Sequence, residues 1–545
     1  MSHIKPPRGP RTPCRACAAC DMGRGSMKPR LAALGLLALL YLPALGSSSS
    51  GTHPDESYYL GISAEMDARG AWLTPTIDGA AKWFKPPLLY WAERAAYAAF
   101  GRGFFGGRLP AALCAIALAL LTGALARRMY GEPAELLATL LVGSTFGWVK
   151  FGRMAMMDAP MTLAFTAAAY GAWRACEEDR PRQLLWAGLG AGAAFMLKGP
   201  VGAVIILLLA GGFVALRRPR LLAGRYTLGA FALGALVGLP WYVASFAVHG
   251  RRFYDFFVVE QNLDRFRHPW TLGGEATLLV GLLVFLLPWT LLVLAALPGA
   301  LRTWREPGSL LPLLWMAVVL AVFTVPSLKW PHYGLGCAPA AALLAARAAP
   351  PRWARLGTAA LLAALAAGAL AVLRWPLAPA AVAAIAPAAL AFAAAAALCA
   401  RGRLAPAAAS AGGGLALLLA FAIPAVNPPV IPREALARLA GRDLHVYDYV
   451  PGIFTLGAGR PVHRVERAAL APTLAGGGVV ILARGALDHL PPELAARLAP
   501  VARWEHIPGY LPPAVVARSW LERDPSLLFE PMLAVELRSG AVGAR

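Results

Sequence analysis

The stretch from His53 to Trp91 contains the residues of this chain whose types and spacing suit chemistry. Asp55 and Glu56 are adjacent carboxylates, and a carboxylate at the rim of a membrane cavity can take a proton from a hydroxyl group. Lys82 and Lys85 follow within the same stretch. A cation held at the membrane surface can stabilise a phosphate group that leaves. These residues predict a catalytic base, Asp55, beside a phosphate-binding lysine, Lys85.

The same residues also have structural interpretations. Asp55 and Glu56 follow Pro54, which is typical of the first turn of a helix, where the positive end of the helix dipole favours acidic side chains. Lys82 and Lys85 could instead extend toward lipid headgroups at the interface. For Glu56 both interpretations can hold together.

A second acid, Asp158, stands where one apolar run ends and the next begins. It suits either the start of a helix or a second catalytic carboxylate that orients a substrate. Arg153 lies five residues earlier and could pair with it. Lys198 is followed by Gly-Pro, which predicts a helix break.

Other charged and aromatic residues fall in turns predicted on the same side of the membrane. This gathering of cations near carboxylates is the main sign of a site for an anionic lipid headgroup. The predicted phosphate-binding residues are Lys85, Arg153, Lys329 and Arg252, and the further site residues are Glu56, Tyr58, Lys82, His332 and Tyr333. The sequence does not decide whether the site binds a divalent metal. Asp55 and His268 are the candidate ligands, and His268 alone would not form a metal site.

The composition identifies the kind of element that positions these residues. Of 545 residues, 58% are hydrophobic and 15% are charged, against about 25% charged in average soluble domains. This excludes a soluble enzyme as the main body. The net charge of +22 is dispersed in pairs between apolar runs, so nucleic-acid binding is not predicted.

The apolar runs predict about thirteen transmembrane helices, each long enough to cross the hydrocarbon. The predicted spans are 28–46, 108–128, 134–151, 158–176, 183–198, 200–216, 225–247, 275–298, 310–325, 331–348, 354–373, 378–400 and 405–425. Arginines occupy alternate loops, which the positive-inside rule assigns to the cytoplasm. The chemistry-bearing turns then face the periplasm of a bacterium, and the protein lies in its inner membrane.

The chain is divided by composition into three parts. Residues 1–26 read as a disordered or misassigned tail, because Met27 begins a typical membrane segment. Residues 27–428 form the transmembrane catalytic region. Residues 429–545 alternate short apolar strands with helical patterns, which predicts a small soluble α/β domain in the periplasm. The predicted fold class is thus an all-α polytopic membrane protein with this domain appended.

Nucleotide-binding and hydrolase motifs do not occur in a meaningful context in this sequence. Energy for a transfer reaction would therefore come from a donor that is already activated through a lipid phosphate.

Several segments resemble one family in order along residues 30–425. They are Asp55-Glu-Ser-Tyr-Tyr59, Gly70-Ala-Trp-Leu-Thr-Pro75, Phe84-Lys-Pro-Pro-Leu-Leu-Tyr-Trp91, Arg153 to Pro160, Lys198-Gly-Pro200, Asn262-Leu-Asp-Arg-Phe266, Leu287-Pro-Trp289 and Ser327-Leu-Lys-Trp-Pro-His-Tyr333. They are similar to the lipid A aminoarabinose transferases, in the GT-C superfamily that also contains the protein O-mannosyltransferases. The resemblance implies a catalytic Asp55, a phosphate-contacting Lys85 and an acidic role for Asp158.

Two positions depart from the family pattern. Tyr58 stands where the family usually has arginine, and Phe84 where the aminoarabinose transferases usually carry a glutamate implicated in metal binding. The predicted function is transfer of a sugar from an undecaprenyl-phosphate-linked donor to a lipid A-like or other periplasmic acceptor. A protein O-mannosyltransferase-like enzyme and a lipid-sugar flippase are the alternatives.

Overall fold

The structure, a computed structural model, describes residues 27–47, 53–264, 273–325, 329–375, 377, 379–508, 513–522 and 524–538. The tail predicted for residues 1–26 and the candidate metal ligand His268 lie outside these ranges.

Helices make up nearly all of the region before residue 427, because in hydrocarbon only a helix satisfies its own backbone. They are Met27–Tyr41, Pro54–Ala68, Leu88–Phe100, Phe104–Tyr130, Glu132–Gly143, Phe146–Phe151, Asp158–Glu177, Leu185–Lys198, Pro200–Arg217, Arg225–Gly238, Pro240–His249, Arg251–Phe253, Tyr254–Leu263, Gly273–Phe285, Thr290–Arg302, Pro307–Thr324, Ala338–Arg347, Arg352–Val372, Pro379–Ala400 and Leu404–Val426. Short 3₁₀ turns lie at Pro181–Leu184, Pro219–Ala223 and Pro331–Cys337.

The chain is a multi-pass membrane protein. In the described ranges, 7 helices are long and apolar enough to cross a membrane, or up to 8 if one bent helix pair forms a single span. The count of about thirteen is not confirmed. Several other apolar helices are too short for this criterion, such as Leu185–Lys198 with 14 residues.

Three of the predicted spans are interrupted. Residues 134–151 form two helices separated at Ser144 and Thr145. Residues 275–298 form a helix pair bent by 113°, where Pro288 has no N–H to continue the helix. Residues 331–348 begin as a 3₁₀ turn and become α-helical at Ala338.

The stretch that carries the predicted catalytic acids begins with the helix Pro54–Ala68, in which Asp55 and Glu56 occupy the first turn. The helix-start interpretation of these acids is therefore correct. A two-stranded hairpin follows, with strands β1 (Thr76–Ile77) and β2 (Ala80–Ala81).

The C-terminal region forms a five-stranded mixed sheet, as the α/β prediction expected. Its strands are β3 (Leu444–Tyr447), β4 (His463–Val465), β5 (Val479–Ala483), β6 (Leu498–His506) and β7 (Glu530–Leu537), in the spatial order β4-β3-β5-β7-β6. Strand β3 pairs in parallel with β4 and β5, whereas β7 is antiparallel to β5 and β6. The helices of this region are Arg433–Arg438, Gly452–Ala458, Arg467–Ala475, Pro492–Ala496 and Pro513–Glu522, with 3₁₀ turns at Arg484–His489 and Pro525–Leu528.

The C-terminal domain packs against the helix Pro54–Ala68. Leu60 from that helix lies in the same buried apolar cluster as Val446 and Phe454 of the domain. Ser57 Oγ donates a hydrogen bond to the Val450 carbonyl oxygen at 3.0 Å. The helix that carries Asp55 is thus held from the membrane side and from the domain side.

Candidate active site

A cavity of about 270 Å³ lies where several helices begin or end. It is lined by Asp55, Tyr58, Tyr59, Phe84, Lys85, Met156, Met157, Asp158, Lys198, Gln261, Trp330, His332 and Tyr333. Six of the residues predicted from the sequence therefore meet here, namely Asp55, Tyr58, Lys85, Asp158, His332 and Tyr333.

Asp55 is positioned by the start of its helix. His53 caps this helix, and its Nδ1 accepts a hydrogen bond from the Asp55 N–H at 3.2 Å. Burial lowers the pKa of His53, although the Asp55 and Asp158 carboxylates act in the opposite direction. A neutral imidazole with an accepting Nδ1 carries its hydrogen on Nε2. His53 is therefore a neutral cap whose ring also lies 5.2 Å from the ring of His332.

Asp158 and Lys198 form the second charged pair of the cavity. Lys198 Nζ lies 3.7 Å from Asp158 Oδ1 and 4.3 Å from the centre of the Tyr333 ring. The Asp158 carboxylate is buried, at the first turn of the helix Asp158–Glu177. The cavity lining therefore contains a second cation, Lys198, in addition to Lys85.

Lys198 is the charged residue of the lining that the sequence prediction missed. Gly199 has a φ of +80°, a conformation that glycine adopts without strain. This glycine ends the helix Leu185–Lys198, so that Lys198 is its last residue. The Lys-Gly-Pro pattern predicted the helix break. A lysine placed at that break was the feature of the sequence that could have predicted a site residue.

Aromatic side chains form another part of the lining. The rings of Tyr58 and Phe84 contact edge to face at 5.3 Å. Phe84 is supported from behind by Phe256 at 5.7 Å, and Lys82 Nζ lies 5.9 Å from the Phe84 ring centre. Lys82 thus borders the aromatic wall without being among the lining residues.

Glu56 has a structural environment distinct from that of its neighbour Asp55. It is fully buried, pairs with Arg108 Nε at 2.7 Å and accepts a hydrogen bond from the Ala155 N–H at 2.9 Å. Glu56 therefore ties three chain segments together behind the cavity.

The remaining predicted cations lie outside the lining. Arg153 donates hydrogen bonds to the carbonyl oxygens of Leu40 at 2.8 Å and Pro43 at 2.6 Å. Arg252 stands 6.0 Å from the ring centre of Trp83. Lys329 is buried and immediately precedes Trp330 of the lining. The structure thus brings Lys85, but not these three cations, into the cavity wall.

A metal site does not follow from the donor set. In the part of the chain that the structure describes, no three His, Cys, Asp or Glu side chains gather as a metal site. In the lining, Asp158 is paired with Lys198, and His332 stacks on Phe151 at 4.9 Å. No step below therefore depends on a metal.

Comparison with known proteins identifies the proteins that this chain resembles. The family model of dolichyl-phosphate-mannose-protein mannosyltransferases matches residues 84–243. The undecaprenyl phosphate-alpha-4-amino-4-deoxy-L-arabinose arabinosyl transferase 2 of Pseudomonas fluorescens is 31% identical over 59% of this chain and 56% of its own length. The corresponding transferase of Edwardsiella ictaluri is 32% identical over 54% of each chain. The matched part therefore spans little more than half the length of these relatives.

Two solved structures share the fold over almost the whole chain. The crystal structure of ArnT from Cupriavidus metallidurans bound to undecaprenyl phosphate has a TM-score of 0.71 and 19% identity, covering 96% of this chain and 100% of that one. Its apo form has a TM-score of 0.72 and 18% identity, covering 94% and 98%. The resemblance to the aminoarabinose transferases is confirmed.

Within this fold, the two departures from the family pattern turn out to be neighbours. Tyr58 and Phe84 stand at positions where the family usually has arginine and glutamate, and their rings contact each other. An aromatic pair thus occupies a part of the wall where two opposite charges would otherwise stand.

Proposed function

We propose that this protein is a membrane glycosyltransferase that moves a sugar from a polyprenyl-phosphate donor to a hydroxyl group of a lipid acceptor similar to lipid A. The observation that carries the proposal is that two carboxylates, Asp55 and Asp158, and two lysines, Lys85 and Lys198, line one cavity. The proposed base and the proposed phosphate-binding cations thereby share one cavity.

Lys85 and Lys198 are the residues proposed to hold the phosphate. As the anomeric C–O bond breaks, its electron pair goes to the departing phosphate oxygen, and fixed positive charge stabilises that transition state. Asp158 holds the Lys198 ammonium at 3.7 Å, so that less freedom is lost when the phosphate binds.

Asp55 is proposed as the base. The acceptor oxygen attacks the anomeric carbon, its proton passes to the Asp55 carboxylate, and polyprenyl phosphate leaves from the opposite side. The proton then returns to solvent, which restores the carboxylate. A single displacement inverts the anomeric configuration, and a product with retained configuration would contradict this mechanism.

A second, apolar cavity suits the polyprenyl chain. It has a volume of about 380 Å³ and lies between the helices Leu185–Lys198, Pro200–Arg217 and Arg225–Gly238. On the first of these helices, the lining positions Ala187, Ala191 and Phe195 form one stripe, and Lys198 follows one turn later on the same stripe. A lipid tail in this groove would carry its phosphate toward Lys198.

The outer ends of these helices are proposed to face the periplasm, since arginines dominate the loops at the other ends. The protein would then act in the bacterial inner membrane, with undecaprenyl phosphate as the natural carrier and the C-terminal domain on the periplasmic side. A polypeptide acceptor is the second candidate, because the mannosyltransferase family model matches residues 84–243.

The test is sugar transfer by purified protein in detergent, using a panel of short-chain polyprenyl-phosphate sugars with lipid A or a Ser/Thr-rich peptide as acceptor. Wild type is expected to transfer one sugar, and Asp55→Asn to lose at least about a hundredfold of the rate. Asp488→Asn, an exposed position in the C-terminal domain, is the matched control.

Release of sugar in detergent excludes a pure transporter. Full activity of Asp55→Asn would contradict the assigned base, and a chelator arm measures any metal dependence.

A further inference from the structure

Two aromatic side chains form one part of the cavity wall. Tyr58 and Phe84 meet edge to face at 5.3 Å, and Phe256 supports Phe84 from outside the cavity at 5.7 Å. An apolar wall with this support keeps its shape and offers a flat surface to the C–H groups of a sugar ring.

Two of the aromatic rings in the lining already have a lysine beside them. The Tyr333 face has Lys198 Nζ at 4.3 Å, and Phe84 has Lys82 Nζ at 5.9 Å. An ammonium group on the sugar would meet a lysine at both places. Cation–π attraction therefore offers it no unoccupied partner among these two rings.

The carboxylates of the lining are likewise engaged. Asp158 pairs with Lys198 at 3.7 Å, and Asp55 is required as the base in the proposed reaction. Adding a positively charged sugar beside Lys85 and Lys198 would place like charges together in a partly dehydrated cavity. The negative charge of the donor phosphate offsets the positive charges only near the anomeric carbon of the sugar, to which the phosphate is bound.

We propose that the cavity takes a donor sugar without a positive charge, a neutral pentose or hexose, and that Phe84 with Tyr58 forms the wall on which its ring packs. The inference rests on the proposed glycosyltransferase function and deepens it. Phe84 is then the specificity-determining residue, because it borders the sugar and is the position where a carboxylate would reverse the local charge.

The experiment compares kcat/KM for polyprenyl-phosphate mannose, arabinose and 4-amino-4-deoxyarabinose in wild type, Phe84→Leu and Phe84→Glu. Wild type is expected to prefer the better neutral donor over the amino sugar by about tenfold or more. Phe84→Leu should raise KM for the neutral donor. Phe84→Glu should lower the ratio of kcat/KM for the neutral donor to kcat/KM for the amino sugar by about tenfold. Phe100→Glu, on an exposed side chain at the end of the helix Leu88–Phe100, is the control and should leave the ratio unchanged.

The outcomes separate this inference from the proposed function. A wild type that prefers the amino sugar, or a ratio that stays unchanged in both Phe84 variants, overturns the neutral-sugar assignment while transfer itself stands. No transfer of any sugar overturns the glycosyltransferase proposal and this inference with it.

Discussion

Gly452 of the C-terminal domain packs directly against Ser57, two residues after the proposed base. A Cβ atom at Gly452 would overlap the Ser57 carbonyl oxygen and lie 2.7 Å from the Gly61 nitrogen. The Ser57 hydroxyl also accepts a hydrogen bond from the Ile453 N–H at 3.2 Å. The absence of a side chain at Gly452 thus sets how closely the domain approaches the helix that presents Asp55.

We expect Gly452→Ala to push this helix and the domain apart. Since small displacements of a catalytic group are costly, kcat should fall by about tenfold or more, measured as sugar transfer in detergent. Gly457→Ala is the matched control in the same helix, because its added Cβ would meet its nearest neighbour, Val430, at an ordinary 3.5 Å. Equal rates for the two variants would mean that the domain does not position Asp55.

The ion pair of Glu56 and Arg108 should govern stability. Glu56→Gln leaves Arg108 buried without its counter-charge, and breaking a buried pair costs about 3–5 kcal/mol. We expect a clearly lower thermal unfolding midpoint, with transfer activity retained per folded molecule. Glu132→Gln is the control, since the Glu132 side chain is 59% exposed in its pair with Arg127 and such pairs contribute about 0–1 kcal/mol. Lost activity with an unchanged midpoint would instead assign Glu56 to the chemistry.

Lys198 should bind the donor phosphate. Lys198→Met is expected to lower kcat/KM for the donor by about a hundredfold, because a positive charge at the leaving phosphate is lost. Lys28→Met, at an exposed position, should have no effect.

The double variant Lys198→Met/Asp158→Asn separates two roles of this lysine. If Lys198 only neutralised Asp158, removing that charge as well would restore the donor KM. A donor KM that stays raised in the double variant agrees with phosphate binding.

The apolar groove should recognise the length of the lipid. Ala191 lines it, and Ala191→Leu adds three carbons that displace part of an isoprenoid chain. At about 0.8 kcal/mol per buried CH₂, KM for a long-chain donor should rise about fivefold or more, while a short water-soluble donor is unaffected. Ala193→Leu on another face of the same helix is the control. An equal effect on both donors would place the tail elsewhere.

The C-terminal domain should become less stable in acid. His506 is buried against Phe454, with ring centres 6.0 Å apart, and burial lowers its pKa from 6.5 to about 4. The folded state therefore binds fewer protons than the unfolded state between these values. Stability is complete above about pH 6.5 and falls by about 3 kcal/mol as the pH drops to about 4.

Hydrogen exchange of strands β3 to β6 in the full-length protein measures this effect between pH 7 and pH 4.5. His506→Phe keeps the ring against Phe454 and should remove the part of the acid sensitivity that His506 causes. His489→Gln, at an exposed histidine of the same domain, should not. Unchanged acid sensitivity in His506→Phe would assign it to other groups.

The sequence by itself determined the class of protein and selected several of the residues that line the cavity. Long apolar runs with arginines between them permit only membrane helices, and the change of composition after residue 428 marked the α/β domain. Asp55, Lys85 and Asp158 could be selected because charged residues at the ends of apolar helices are costly unless they have a function.

Only the tertiary structure decided which of several similar charges share one cavity. Arg153 and Lys198 both stand at ends of predicted spans, yet Arg153 turns to the carbonyl oxygens of Leu40 and Pro43, whereas Lys198 reaches Asp158. Glu56 and Asp55 are adjacent, yet one pairs with Arg108 and the other lines the cavity. Such outcomes depend on the rotation and depth of each helix, which are set by packing between segments distant in sequence.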